Sequence, residues 1–335
     1  MKAKLFLLLA SLMISACSQQ ETPSLERLNG RTMGTSYSIV WPVQSSVVQP
    51  SKIQLLIEKR LIEINRQMST YDATSEISQF NQANPPYTQT ISPDFSNVMK
   101  LAMELHALSG GFFDVSVGPL VNLWGFGPDA GSKAPSERVL NEALNKVGLN
   151  QVTLKGLELE KQSQRYIDLS AIAKGYAVDE LARILHEHGI EAYLVEVGGE
   201  IRTKGQKAKD TPWKVAIESP DISQRRVHKI LAMDDNAMAT SGDYRNYFEV
   251  DGQRFSHSIN PFTGKPVQHR LASVTVIDQN CARADALATA MLVMGEAKAK
   301  AFAQEHRIKA YLIERQGTEF KEYLSPAFSS WLIDR

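Results

Sequence analysis

Apolar residues recur along the chain with two different periods, and the change from one to the other predicts its elements. From Ser51 onward, Ile53, Leu56, Ile57, Leu61 and Ile64 fall at helical spacing, with charges on the opposite face. Ser92 and Pro93 supply an N-cap and first-turn pair for a second helix carrying Val98, Leu101, Ala102, Leu105 and Leu108, which Gly110 and Gly111 stop. Residues 136–147 read as a helix capped by Ser136 and halted at Gly148. Residues 170–188 read as another, with the stripe Ile172, Tyr176, Val178, Leu181, Ile184 and Leu185. Helices are also predicted over 284–294 and 296–307. Strand-like segments occupy 28–43, a strand or hairpin closing at Pro42, and 112–117, read as extended and ended by Gly118-Pro119. Two short strands within 152–167 turn at Lys155-Gly156, and further strands are expected over 193–197, 213–218, 228–233, 244–250, 273–277 and 310–313.

Long helices flanking many strands of antiparallel spacing argue for an α+β fold rather than a doubly wound parallel sheet. The chain has 335 residues, 43% of them apolar and 22% charged, which excludes a disordered or collagen-like polymer. That length suits two ordinary domains or one large one. Its 37 basic and 37 acidic side chains give a net charge of +0, so there is no broad positive field for nucleic acid. Two cysteines, Cys17 and Cys281, cannot build a disulfide framework or a Cys-only zinc site.

The first cysteine closes a leader. Lys2 and Lys4 precede an apolar run over 5–14 that is too short to span a bilayer, and Ser15-Ala16-Cys17 then meets polar Ser18-Gln19-Gln20-Glu21. Ile14-Ser15-Ala16-Cys17 resembles the bacterial lipobox, whose cysteine is acylated after cleavage; an ordinary signal peptide with an incidental cysteine is the alternative. Several acyl chains give stable anchoring where one does not. The expected layout is a signal peptide over 1–16, a lipidated tether over 17–27 and one domain over 28–335, held on the periplasmic face of the inner membrane. Ser18 would, by the usual sorting rule, also permit the outer membrane. Loss of Lys2 and Lys4 leaves 35 basic against 37 acidic side chains, a net of about −2. The apolar neighbours of Cys281 in sequence predict a buried, inert thiol.

Familiar nucleotide and hydrolase signatures are missing: there is no Walker A loop, no His-x-x-x-His, no Cys-x-x-Cys and no Gly-x-Ser-x-Gly. Gly198-Gly199-Glu200 does not open a dinucleotide-binding helix and reads as a tight turn after a strand. The chemistry therefore has to be assembled from dispersed segments. They are Arg31-Thr32-Met33-Gly34-Thr35, Met68-Ser69-Thr70-Tyr71-Asp72, the run from Gly110 through Phe112-Phe113-Asp114 to Gly127, and Asp168-Leu169-Ser170-Ala171-Ile172-Ala173-Lys174-Gly175-Tyr176. The C-terminal half adds Ala239-Thr240-Ser241-Gly242-Asp243-Tyr244, His257-Ser258-Ile259-Asn260-Pro261 and Ala284-Asp285-Ala286-Leu287-Ala288-Thr289.

In this order the segments resemble the ApbE family of FAD:protein FMN transferases, from about Gly30 to the last strand. The resemblance implies an ApbE-like α+β fold of mostly antiparallel strands, with the FAD site in a cleft between subdomains. It implies Mg²⁺-dependent splitting of FAD, with FMN joined through a phosphoester to a threonine or serine of a target protein and AMP released. By similarity Met33, Tyr71, Phe112, Phe113, Asp114, Asp168, Lys174 and Ile259 line the FAD site. The same resemblance implies that Asp285 and Thr289, with the backbone carbonyl of Ala171, bind Mg²⁺. An Asp and a Thr four apart on a helix share one face, and oxygen ligands suit a hard cation. Tyr71 can stack on a flat ring and Lys174 can offset phosphate charge.

His257 is the candidate general base, since an imidazole can accept the hydroxyl proton at neutral pH, and Asp285 is the alternative activator of the nucleophile through the metal. Where the family pattern often carries glycines after the acidic residue, this chain has Ser170-Ala171, a change that a backbone carbonyl ligand survives. The implied acceptor is a flavin-bearing subunit of a membrane redox complex, of the sodium-translocating NADH:quinone oxidoreductase or Rnf type. Two other readings compete: a flavin-binding lipoprotein that transfers nothing, and a metal-dependent FAD pyrophosphatase releasing FMN and AMP.

Overall fold

The first strand-like segment becomes a hairpin. β1 (Leu25–Thr32) and β2 (Thr35–Pro42) pair antiparallel from Leu25↔Pro42 to Thr32↔Thr35 around the two-residue turn Met33-Gly34. The computed structural model describes residues 24–43, 49–128, 135–220, 226–243, 247–250, 253–317, 319–328 and 331. The leader, Cys17, Ser18 and Tyr244 lie outside the described residues.

α1 (Pro50–Met68) starts on its proline and buries Ile53, Ile57, Leu61, Ile64 and Met68, the face read from the sequence. α2 (Glu76–Gln82) and β3 (Tyr87–Thr90) follow. α3 (Pro93–Leu108) begins where the Ser-Pro pair predicts, with Ser92 Oγ accepting the Phe95 N–H at 3.3 Å. Residues 112–117 are not extended, and Gly118-Pro119 starts a helix, α4 (Gly118–Leu123), instead of ending a strand. The cause is local: Asp114 Oδ1 accepts from the Ser116 N–H at 2.7 Å and its hydroxyl at 2.6 Å, which folds the backbone into a turn, and proline is tolerated in a helix's first turn. α5 (Glu137–Leu144) is shorter than expected, and Ser136 makes no side-chain capping bond.

β4 (Val152–Lys155) and β5 (Glu158–Lys161) form the expected pair and, with β3, a three-stranded sheet ordered β3-β5-β4. α6 (Ala173–Glu187) begins three residues later than Ser170, because Asp168 Oδ1 holds the Ser170 N–H (2.9 Å) and hydroxyl (2.5 Å) in a turn ahead of it. β6 (Tyr193–Val197) and β7 (Glu200–Lys204) are joined by Gly198-Gly199, the tight turn expected there. Then come β8 (Trp213–Glu218), β9 (Val227–Met233), β10 (Ala237–Gly242), β11 (Tyr247–Val250), β12 (Gln253–Ser256) and β13 (Leu271–Asp278). α7 (Cys281–Met294), α8 (Glu296–Glu305), β14 (Lys309–Gln316) and β15 (Glu319–Leu324) complete the chain.

Eight strands make one sheet, β1-β2-β6-β7-β10-β13-β14-β15, every neighbouring pair antiparallel, as the α+β reading expects. One face packs on α6 and α7, with α1 and α3 beyond them. The other packs on the β8–β9 hairpin, where Val215, Ile217, Leu231 and Met233 meet Met238, Ile277, Tyr311 and Ile313. A smaller body gathers α4, α5 and the segment after β12 around Leu120, Trp124, Leu140, Phe255 and Ile259. α7 is buried on nearly every side, as befits a central helix. It meets α6 at Gly175, where a Cβ would lie 2.5 Å from the Cys281 carbonyl oxygen, so only glycine permits the approach. That contact sets Lys174 beside Asp285. No helix among the described residues is long and apolar enough to cross a membrane.

Candidate active site

A cleft of about 1010 Å³ lies between the main body and the smaller one. Met33, Tyr71, Phe112, Phe113, Asp114, Asp168, Ala171, Lys174, His257, Ile259, Asp285 and Thr289 all line it. The fold thus brings together every candidate residue of the predicted domain, drawn from six places in the chain. Its volume stands at the top of the usual ~300–1,000 Å³ range for small-molecule sites.

The cleft has an aromatic mouth. Tyr71 is 69% exposed, and its hydroxyl donates to the Phe126 carbonyl at 3.0 Å, which steadies the ring without covering it. Met33 sits at the tip of the β1–β2 turn with φ +48°, a left-handed conformation uncommon outside glycine and a form of strain that recurs at ligand sites. Phe112 packs edge-on against Phe262 at 4.9 Å between centroids and lies under the Lys298 ammonium at 4.7 Å, whereas Phe113 is fully buried. The buried Asp114 holds the turn below them, and burial raises its pKa although the Ser116 donors pull it down.

His257 follows β12 in a bend and meets the Phe126 ring edge-on at 6.3 Å. The next residues are pinned. Ser258 accepts the Val267 N–H at 2.9 Å, Ile259 pairs with Pro266, and Asn260 Oδ1 accepts the amides of Phe262 (2.9 Å) and Thr263 (3.2 Å). The Trp124 indole N–H donates to the Gly264 carbonyl at 2.7 Å, tying this loop to α4. An imidazole on a loop so anchored is held at the cleft wall.

The floor is charged. Lys174 Nζ lies 2.8 Å from Glu200 Oε1 and 3.8 Å from Asp285 Oδ2. Burial disfavours the Lys174 ammonium, but Asp285 and Glu200 outweigh it and hold its pKa above the ordinary range. Burial pushes the Asp285 carboxyl up to about 7, against the pull of Lys174 and with Glu200 repelling it. Glu196, also lining the cleft, is raised by burial while it accepts the Gly199 N–H at 2.7 Å.

Oxygen atoms that suit a hard cation stand on the same floor. Asp285 and Thr289 lie one turn apart on α7, and the Thr289 hydroxyl is 3.0 Å from that of Ser241. The Gly175 N–H, which would return to the Ala171 carbonyl had α6 begun a turn earlier, donates to Asp285 Oδ2 at 3.1 Å. The Ala171 carbonyl is thereby left outside the helical ladder. No cluster of three His, Cys, Asp or Glu side chains with metal-ligand geometry occurs among the described residues. A cation here would rest on one carboxylate, a hydroxyl, a carbonyl and its own water. Such a set fits Mg²⁺, which keeps several waters and takes few protein ligands.

Sequence reasoning missed Glu200 and Glu196, and it read Gly198-Gly199 as a turn only. All four line the cleft, and the Cβ position of Gly199 meets no atom within 4 Å. The one available signal was a glutamate directly after a Gly-Gly turn. Cys281 is buried, as expected, and burial with the nearby Asp179, Glu200 and Asp285 drives its thiol pKa far up.

Comparison with known proteins gives one consistent result. A sequence profile described as the ApbE family matches residues 33–312. The FAD:protein FMN transferase of Vibrio cholerae is 44% identical over 326 residues, covering 97% of both chains. That of Haemophilus influenzae is 42% identical, covering 95% of this chain and 94% of its own. The solved structure of the flavin transferase ApbE from Vibrio cholerae superposes with a TM-score of 0.87 at 44% identity, covering 92% of this chain and 100% of the other.

Proposed function

Because this chain belongs to the ApbE family, we propose that it is an FAD:protein FMN transferase that cleaves the FAD diphosphate, joins FMN to a threonine or serine hydroxyl of an acceptor protein and releases AMP. The observation that carries this reading at the level of the site is the convergence of all twelve candidate residues on one cleft.

In it, Tyr71 offers its exposed ring face to a planar ring system, Met33 and Phe112 close the apolar sides, and Asp114, Asp168 and Ile259 complete the FAD surface. Lys174 faces the diphosphate and offsets its charge. Asp285, Thr289 and the Ala171 carbonyl would hold Mg²⁺, which when bound neutralises phosphate charge and acts as a Lewis acid. His257 takes the proton from the acceptor hydroxyl as its oxygen bonds to phosphorus and the bond to the AMP moiety breaks. Burial at the floor excludes water and so strengthens each of these electrostatic contacts.

Purified protein incubated with FAD, Mg²⁺ and a candidate acceptor should yield an acceptor band that fluoresces as flavin on a denaturing gel. Free FMN and AMP without a labelled band would make the protein a pyrophosphatase, and intact FAD would make it a binder. Acceptors to try first are flavin-bearing subunits of the sodium-translocating NADH:quinone oxidoreductase and Rnf complexes. Export and acylation at Cys17 would place the site on the periplasmic face of the inner membrane. Cys17→Ser should then move the protein from the membrane to the soluble fraction, and unchanged fractionation would remove the anchor.

A further inference from the structure

Glu200 is 4% exposed and lines the cleft, yet it is only half used by the protein. Its Oε1 pairs with the Lys174 ammonium at 2.8 Å, while its Oε2 is buried with no hydrogen-bond partner. A buried carboxylate oxygen left unpaired is costly, and where native structures keep one it marks a place for a ligand, an ion or water. The geometry around it is tightly set. Glu200 is the first residue of β7, delivered by the Gly198-Gly199 turn. A Cβ on Gly198 would lie 3.2 Å from Lys174 Cδ and 2.9 Å from Thr35 Cγ2, so the turn lies directly against the lysine's stem. The lysine's stem is therefore held against the turn and its ammonium by Glu200. The ammonium stops 3.8 Å short of Asp285 Oδ2, beyond a direct hydrogen bond.

We propose that Glu200 is a positioning residue of the transferase site: it draws the Lys174 ammonium away from Asp285, so that the Asp285 carboxylate stays available to the divalent cation. The inference rests on the transferase reading given above. Without Glu200 the nearest carboxylate for Lys174 is Asp285, and the lysine becomes an internal competitor for the cation's ligand.

A double-mutant cycle separates this from a simple loss of negative charge. Mg²⁺ is titrated calorimetrically into wild type, Glu200→Gln, Lys174→Met and the double variant, each saturated with ADP, a diphosphate that carries no flavin to transfer. Glu200→Gln should weaken Mg²⁺ binding about tenfold or more, in the range found for outer-sphere residues. Adding Lys174→Met to the Glu200→Gln variant should then restore affinity by clearly more than the same change alters it in wild type. Additive effects would mean that Glu200 acts only as a distant charge, and would overturn the proposal. So would four equal affinities, or no Mg²⁺ binding to wild type. Melting curves of the four proteins identify any variant that is merely unfolded, and Glu200→Asp, which keeps the charge on a shorter stem, provides a second route to the same displacement. FMN transfer by wild type, measured in parallel, tests the underlying reading separately: if transfer occurs and the cycle is additive, only the role of Glu200 falls.

Discussion

α6 carries two buried acidic clusters that look alike in composition and differ in what they leave over. At its first turn Lys174 meets Glu200 and Asp285. One turn on, Asp179 meets Arg202 and the start of α7. Every oxygen of Asp179 is used by the protein: Oδ1 accepts the Cys281 N–H at 3.1 Å and pairs with Arg202, and Oδ2 accepts the Ala282 N–H at 3.0 Å. It satisfies helix-end amides that have no partner inside α7 and answers the helix dipole. The Lys174 cluster keeps an unpaired glutamate oxygen and a carboxyl pushed up to about 7. A saturated cluster fastens two helices together, whereas one with spare acceptors is set up to receive something else.

The sharpest test of that contrast exchanges the two aspartates for neutral residues. Asp285→Asn should lower Mg²⁺-dependent FMN transfer about 10³-fold or more, since a lost Lewis acid is worth several kcal/mol and each tenfold in rate is about 1.4 kcal/mol. Its melting temperature should hold or rise, because a costly buried charge has gone. If transfer survives in Asp285→Asn, the division between the clusters collapses. His257→Ala follows in size, with a loss of about 10²-fold or more in transfer and FAD binding retained, as measured by flavin fluorescence. A transfer rate like that of wild type would remove His257 as the base.

Asp179→Ala should behave in the opposite way. It strands Arg202 and two α7 amides, so unfolding in urea should show a loss of about 3 kcal/mol. The rate per folded molecule should change far less than in Asp285→Asn. A stable but inactive Asp179→Ala protein would mean that this cluster also serves the chemistry directly.

These clusters also show where sequence reading succeeds and stops. α1, α3 and α6 were legible because their apolar residues recur at helical spacing, and the α3 cap because Ser-Pro has one strong local use. β7, Glu-Ile-Arg-Thr-Lys, carries one apolar residue, and β10, Ala-Met-Ala-Thr-Ser-Gly, reads as small and polar. Their strand character comes from neighbours in the sheet. Residues 112–117 misled because Asp114 and Ser116 bond locally, a competition that a strand pattern does not reveal. The twelve site residues came from motif resemblance, segment by segment. Glu200 escaped because its pairing with Lys174 is made across α6 and the sheet, and no local spacing encodes such a contact.

A smaller effect sharpens the comparison through pH. The folded-state pKa of Asp285 stands at about 7, above the ~3.9 of an unfolded aspartate. Between about pH 4 and 7 the native state therefore holds a proton that the unfolded chain has released, and metal-free stability falls as pH rises through that window. Asp285→Asn lacks the titration, so its advantage in melting temperature over wild type should widen from about pH 4.5 to 7.5 without metal and shrink when Mg²⁺ is added. A gap that does not vary with pH would show that folding does not raise the Asp285 carboxyl.

Between the two clusters lies Cys281, which feels both. Its thiol is buried and within 3.6 Å of the Ile201 carbonyl, and burial with Asp179, Glu200 and Asp285 opposes a thiolate there more than Arg202 favours it. Nucleophilic and redox chemistry of cysteine runs through the thiolate, so this residue should be silent in the native protein. Iodoacetamide should leave the Cys281 peptide unmodified by mass spectrometry until the protein is unfolded. Cys281→Ala should shift stability by no more than about 1–2 kcal/mol, as for a small buried apolar group, and leave FMN transfer intact. Rapid native labelling would mean that α6 and α7 part readily at Gly175. In that case the Asp179 cluster would not be the fastening that distinguishes it from its neighbour.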